Sequence, residues 1–208
     1  MQMHPYKNES LNSIYDLLFC DDLEAFRTAH QGDPVYPWTT LFNASSSTEE
    51  LEGIIEDAGT ESRQKLLAAR LLAHGKPLPV KRVFGVVIEV GMDQGLDVLA
   101  AYEDGTARYI NYSEKVIVWE TRTTKSGELI ADLLQAARNV VEQIGPWDKQ
   151  RLAPPATGNV RMSFLVSNGL YFGEGPFEAL MGDPIGGPVI NSGAQLMNFL
   201  VENSLQSA

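Results

Sequence analysis

The stretch VFGVVIEVGMDQGLDVLAAYEDGTARYINYSEKVIVW, residues 83–119, changes the rhythm of the chain. It opens with VFGVVIEVG, β-branched and almost continuously apolar, which is the pattern of a strand covered on both faces. MDQG at 92–95 supplies a turn and LDVLAAY at 96–102 a second strand. Asp104-Gly105 is a hairpin signal, because glycine accepts the positive φ that tight turns demand. TARYINY alternates, with Ala107 and Tyr109 on one side and Arg108 and Ile110 on the other. Ser113-Glu114 turns the chain again, and KVIVWE resumes the alternation. The stretch predicts a four-stranded antiparallel meander.

Downstream the period lengthens. SGELIADLLQAARNVVEQIG, residues 126–145, places Leu129, Ile130, Leu133, Ala137, Val140, Val141 and Ile144 on one broad face. Ser126 is the expected cap, and Gly145-Pro146 the stop. A proline-rich connection without periodicity covers 146–159. VRMSFLVS and LYFGEG, around Asn168-Gly169, read as a hairpin over 160–175. SGAQLMNFLVENSL at 192–205 reads as a last helix, with Leu196, Phe199 and Leu200 inward.

Upstream the chain reads as helices. Leu11, Ile14, Tyr15 and Leu18 keep helical spacing, and DDLEAFRTAH at 21–30 continues or restarts that helix until Pro34 and Pro37. Ser47 and Glu50 match a capping box, with Leu51, Ile54, Ile55 and Ala58 as the apolar stripe and Gly59 as the stop. Thr60 is the expected cap of a further helix, ESRQKLLAARLLAH, with Leu67 and Leu71 inward and Gly75 at its end. KPLP at 76–79 marks a boundary. The fold class is therefore α+β. An acidic helical segment, 1–77, packs on residues 78–208. These form a mostly antiparallel sheet of about six strands with covering helices, ordered as four-stranded meander, helix, hairpin, helix.

The net charge of −11 is unevenly distributed. Residues 1–61 carry twelve acids against two bases, Lys7 and Arg27, whereas the remainder is almost neutral. A nucleic-acid binder needs a positive face to release counterions, so DNA and RNA are not expected as partners. Anionic membranes are disfavoured for the same reason. No apolar run approaches the about 20 residues that cross a bilayer, and MQMHPYKNES lacks the pattern of a secretory signal. The only cysteine, Cys20, fits a reducing, cytoplasmic compartment and reads as a buried helix thiol.

Motifs with chemistry are sparse. SNGLYFGEGPFEALMGDPIGGP, residues 167–188, is glycine-rich, yet it lacks the lysine and hydroxyl of a phosphate loop and the βαβ setting of a dinucleotide fingerprint. Turn chemistry is its simplest reading. His4, His30 and His74 are scattered, so neither a metal nor a cofactor is expected. One constellation stands out: Trp147, Asp148, Lys149 and Arg151 in the proline-rich loop, with Tyr171, Phe172 and Glu174 at the end of the hairpin. If loop 146–159 folds over hairpin 160–175, aromatic walls and charges converge as in many small-molecule pockets. The alternative is that Trp147 anchors the loop and Asp148 pairs with Arg151.

Three functions are compatible with this pattern. The first is a non-enzymatic interaction or regulatory protein of the bacterial accessory kind. It would bind a basic protein partner through Asp21, Asp22, Glu49, Glu50, Glu56 and Asp57. The second is a small-molecule-binding domain using Trp147, Asp148, Arg151, Tyr171 and Glu174. The third is a hydrolase with a carboxylate site.

Overall fold

A computed structural model of the chain describes residues 4–73 and 81–204. Five helices come first: α1 (Glu9–Leu17), α2 (Leu23–Ala29), α3 (Trp38–Leu41), α4 (Thr48–Glu56) and α5 (Ser62–Leu72). The meander follows as β1 (Val83–Met92), β2 (Gly95–Tyr102), β3 (Ala107–Ile110) and β4 (Val116–Trp119). Then come α6 (Thr124–Val141), β5 (Asn159–Val166), β6 (Gly169–Pro176), α7 (Phe177–Met181) and α8 (Gly186–Ser204). All strands pair antiparallel in one six-stranded sheet of order β4-β3-β2-β1-β5-β6. The α+β class and the meander–helix–hairpin–helix order agree with the sequence reading.

β1 is one of the two central strands, and α6 is the crossover that returns the chain from the β4 edge to the other side of β1. Burial on both faces explains its apolar run, and the two faces feed different cores. Val86 and Ile88 join the cluster under α6 and α8, with Leu99, Leu133, Phe164, Leu196 and Leu200. Phe84 and Val87 join the cluster under the N-terminal helices, with Tyr15, Phe19, Ile54, Leu66 and Tyr102. A register shift against β5 between Val83 and Gly85 breaks the strict alternation, so that Phe84 and Val87, three residues apart, share one cluster. Gly85 has no room for a side chain, since an added Cβ would lie 2.8 Å from the Tyr102 ring.

The helical segment is tied to the sheet by polar contacts as well. Ser62 and Asp104 exchange two bonds, the Ser62 amide donating to Asp104 Oδ2 (2.6 Å) and the Asp104 amide to Ser62 Oγ (2.8 Å). Tyr6 donates to the Leu96 carbonyl and Tyr102 to that of Leu18.

Several local expectations are corrected. The capping box of Ser47 and Glu50 forms, but α4 stops at Glu56 and Ala58 is exposed. Glu61, not Thr60, caps α5, because Thr60 donates its hydroxyl to Asp57. Thr123, not Ser126, caps α6, with Ser126 answering from the third helical position. Cys20 is buried but follows α1 in a left-handed conformation, φ 51°, outside any helix. The last hairpin turns on Ser167 and Asn168, so Gly169 pairs with Val166 as the first residue of β6. The glycine-rich stretch holds β6, α7 and the start of α8. Asp183 starts α8 by accepting from the Ile185 and Gly186 amides. Gly187 is required where α8 passes the Met181 carbonyl, which an added Cβ would strike. Gly75 and KPLP lie outside the described residues.

Candidate functional site

A cleft of about 860 Å³ opens between the α1–α2 link, the end of α5, loop 146–159 and the β5–β6 turn. Asp16, Asp21, Asp22, Arg70, Lys149 and Arg151 supply its charges, and Gln150, Ser167 and Asn168 its neutral polar groups. In sequence Arg151 belongs to a small-molecule site and Asp21 and Asp22 to a partner-binding face; in the fold all three line one cleft, and Arg151 pairs with Asp21.

Arg151 is fixed on every side. Its Nη2 lies 2.8 Å from Asp16 Oδ1 and its Nε 3.1 Å from Asp21 Oδ2. The guanidinium also lies 3.9 Å over the Phe19 ring and 5.2 Å over Tyr15. Burial works against this charge, yet Asp21, Tyr15 and Asp16 outweigh it and hold the group above the usual arginine range. The partner named for Arg151 in sequence was Asp148; in the fold its partners are Asp16 and Asp21, some 130 residues earlier in the chain.

Arg70 is treated differently. Its Nη1 donates to the carbonyls of Phe19 and Cys20. Among the described residues it is within ion-pair distance of no carboxylate. Burial lowers its pKa, with Cys20 and Asp21 opposing. Nε and Nη2 remain as donors, because a guanidinium carries five N–H groups. Across the cleft, Asp22 caps α2 through Oδ1 alone, bonding the Glu24 and Ala25 amides. Lys149 is exposed, with its ammonium 5.3 Å over the Trp147 ring.

The other sequence candidates are dispersed. Trp147 bridges to Leu170, its amide donating to that carbonyl at 2.7 Å, and meets Phe172 edge-on at 5.0 Å. It therefore seats the loop on β6 beside the cleft. Asp148 is exposed and does not line the cleft. Tyr171 and Glu174 lie on opposite faces of β6, since they are an odd number of residues apart. Tyr171 is buried in the core under α6 and α8. Glu174 is bound to Arg161, Oε2 to Nη2 at 2.7 Å. Glu49, Glu50, Glu56 and Asp57 belong to α4 and its exit, outside the cleft lining. Glu50 closes the capping box, and Asp57 accepts from the Gly59 amide and the Thr60 hydroxyl. Those bonds hold the Asp57 carboxyl below its ordinary range, the Gly59 amide contributing most.

Behind the cleft lies a charge cluster that sequence reasoning missed. Glu89 is fully buried, accepts from the Tyr15 hydroxyl at 2.7 Å, and stands 3.7 Å from Arg161 Nη1. Arg161 also donates to the Leu152 and Ala153 carbonyls, so it holds loop 146–159 from beneath. Burial raises the Glu89 pKa, against the pull of the Tyr15 bond and the Arg161 charge. A signal existed: each residue is a lone charge within an apolar strand, and β1 and β5 place them directly opposite. No protein family, curated protein or solved structure matches the chain. Among the described residues, no helix is long and apolar enough to cross a membrane.

Proposed function

We propose that the protein is a non-enzymatic binding module that holds a small molecule bearing a carboxylate or similar anion in the cleft beside loop 146–159. The observation that carries this reading is Arg70, a guanidinium in the cleft wall bonded through Nη1 to carbonyls and matched by no carboxylate among the described residues. A planar anion answers its remaining donors in a two-pronged geometry. Asp22, with Oδ2 outside its capping bonds, suits a donor group on the same ligand. Pre-paired Arg151, Asp16 and Asp21 make a rigid floor, which lowers the entropic cost of binding.

Thermal-shift screening of metabolites tests it. A ligand at 100 times its Kd stabilises the fold by about 2.7 kcal/mol, a rise of several degrees. Arg70→Lys is expected to weaken that shift at least tenfold in ligand concentration, because lysine keeps the charge and loses the fork. Hits restricted to cations, or unaffected by Arg70→Lys, remove the proposal.

A second reading has its own observation. Glu49, Glu52 and Glu56 recur along the exposed side of α4, without an ion pair among the described residues. They suit a basic protein partner. Pull-down at low and high salt tests this, since attraction between exposed charges fades above about 0.1 M salt. Capture that ignores salt, or survives Glu49→Gln with Glu52→Gln and Glu56→Gln, argues against it.

A further inference from the structure

On the opposite side of the sheet, a groove of about 420 Å³ runs between α8 and the β1–β2 end of the meander. Its floor is Ile88, Val90, Leu99 and Tyr109; its roof is Ile190, Gly193, Ala194 and Met197, one face of α8. The volume lies within the range of about 300–1,000 Å³ typical of small-molecule sites. The close approach of α8 depends on Gly193, where an added Cβ would strike Ile88 Cδ1.

The groove carries one charge. Asp97 stands opposite Val90, on the same face as Leu99 and Tyr109, and lines the groove while only half-buried. Its Oδ1 accepts from the Tyr112 amide at 2.6 Å and its Oδ2 from the Tyr109 hydroxyl at 3.1 Å. Burial, then the Asp97 charge, raises the Tyr109 pKa, so the phenol keeps its proton and donates a hydrogen bond to Asp97. What this pair still offers is acceptor capacity: the second lone pairs of both carboxylate oxygens and those of the phenol.

We propose that this groove binds an amphiphilic amine, with its apolar body under α8 and its ammonium on Asp97. The choice rests on complementarity of charge and of hydrogen bonding. An ammonium supplies donors and a positive charge where the groove has only acceptors and a negative one. A carboxylate head brings a like charge and no donor. This site is separate from the cleft around Arg70, which favours the opposite charge.

Three probes of equal length decide the matter: n-octylamine, 1-octanol and octanoate, titrated into the full chain carrying ¹³C-methyl methionine. The Met197 methyl, in the groove roof, is the reporter. Octylamine is expected to bind tightest, octanol more weakly, and octanoate at least tenfold more weakly than octylamine. Hexylamine is expected to bind about tenfold more weakly than octylamine, from two methylenes fewer. Asp97→Asn is expected to remove the preference for the amine over the alcohol, and Ala194→Phe, which fills the groove, to abolish all binding. The probe order in the unaltered protein stands on its own if either variant fails to fold. Octanoate binding as tightly as octylamine, a Met197 methyl indifferent to all probes, or full binding by a folded Ala194→Phe protein overturns the proposal.

Discussion

The two faces of the sheet solve the same packing problem with opposite chemistry. Beneath α6 and α8 the core is almost wholly apolar, and its one carboxylate, Asp97, stands at a rim. Beneath the N-terminal helices the core holds Tyr15, Glu89 and Arg161, joined outward to Arg151 and its aspartates. The difference teaches why the acidity of the N-terminal segment is not simply a solvated coat. Asp16, Asp21, Asp22, Glu24, Glu50, Asp57 and Glu61 form ion pairs or helix and turn caps, whereas Asp33, Glu49, Glu52 and Glu56 are exposed without an ion pair among the described residues. Apolar packing needs only shape, whereas the polar face must satisfy each buried charge in place.

The largest effect should come from breaking the polar face. Arg161→Met leaves Glu89 buried without its counter-charge and is expected to cost about 3–5 kcal/mol in denaturant unfolding. Changing Glu89 and Arg161 together to methionine is expected to recover part of that loss. An equal cost for the single and double variants means that the pair is not the source. On the apolar face, Leu133→Ala is expected to cost about 2–5 kcal/mol, with no dependence on salt, since Leu133 is fully buried among apolar neighbours.

A smaller effect sharpens the contrast through pH. Burial raises the Glu89 pKa above its unfolded value. The stability it contributes is therefore complete below the ordinary carboxylate range and is lost as pH rises through the folded pKa. Glu89→Gln removes that dependence, so the gap between variant and parent is expected to shift in favour of the variant with rising pH. A constant gap would show that Glu89 has the same pKa folded and unfolded. Asp104 has the opposite sign. Burial works against it, but the Ser62 and Thr106 amides and the Thr106 hydroxyl hold its pKa below the ordinary range. Its contribution is lost as pH falls through that folded value, and Asp104→Ala is expected to cost about 1 kcal/mol near neutral pH, as for a lost helix cap. The smallest effect belongs to Glu49→Gln, since Glu49 is exposed and has no ion pair among the described residues. Its stability is expected to stay within about 0.5 kcal/mol of the parent, so any loss of capture by a basic partner is a binding effect.

Legibility followed physical range. The meander was readable because a period of two and Asp-Gly turns are local. Caps were misplaced by one to three residues where several acceptors crowd a helix start, as at Thr60 and Glu61 or Thr123 and Ser126; backbone geometry chooses among them. α7 and the early start of α8 were hidden because Gly186, Gly187 and Pro188 read as loop. Helix packing against Met181 overrides that local preference. The separation of Tyr171 from Glu174 was available from strand alternation alone. The pairing of Arg151 with Asp16 and Asp21 was not, since no local rule links residues so far apart.

From its own order, the chain determined the α+β class, the strand sequence and the confinement of the acidic excess to one end, because periodicity and charge are counted along the backbone. Only the tertiary structure decided which carboxylates are neutralised, that Arg70 faces a cleft with no carboxylate partner among the described residues, and that Asp97 edges an apolar groove. Those facts depend on which side of a strand meets which helix, and that is settled by the joint packing of segments distant in sequence.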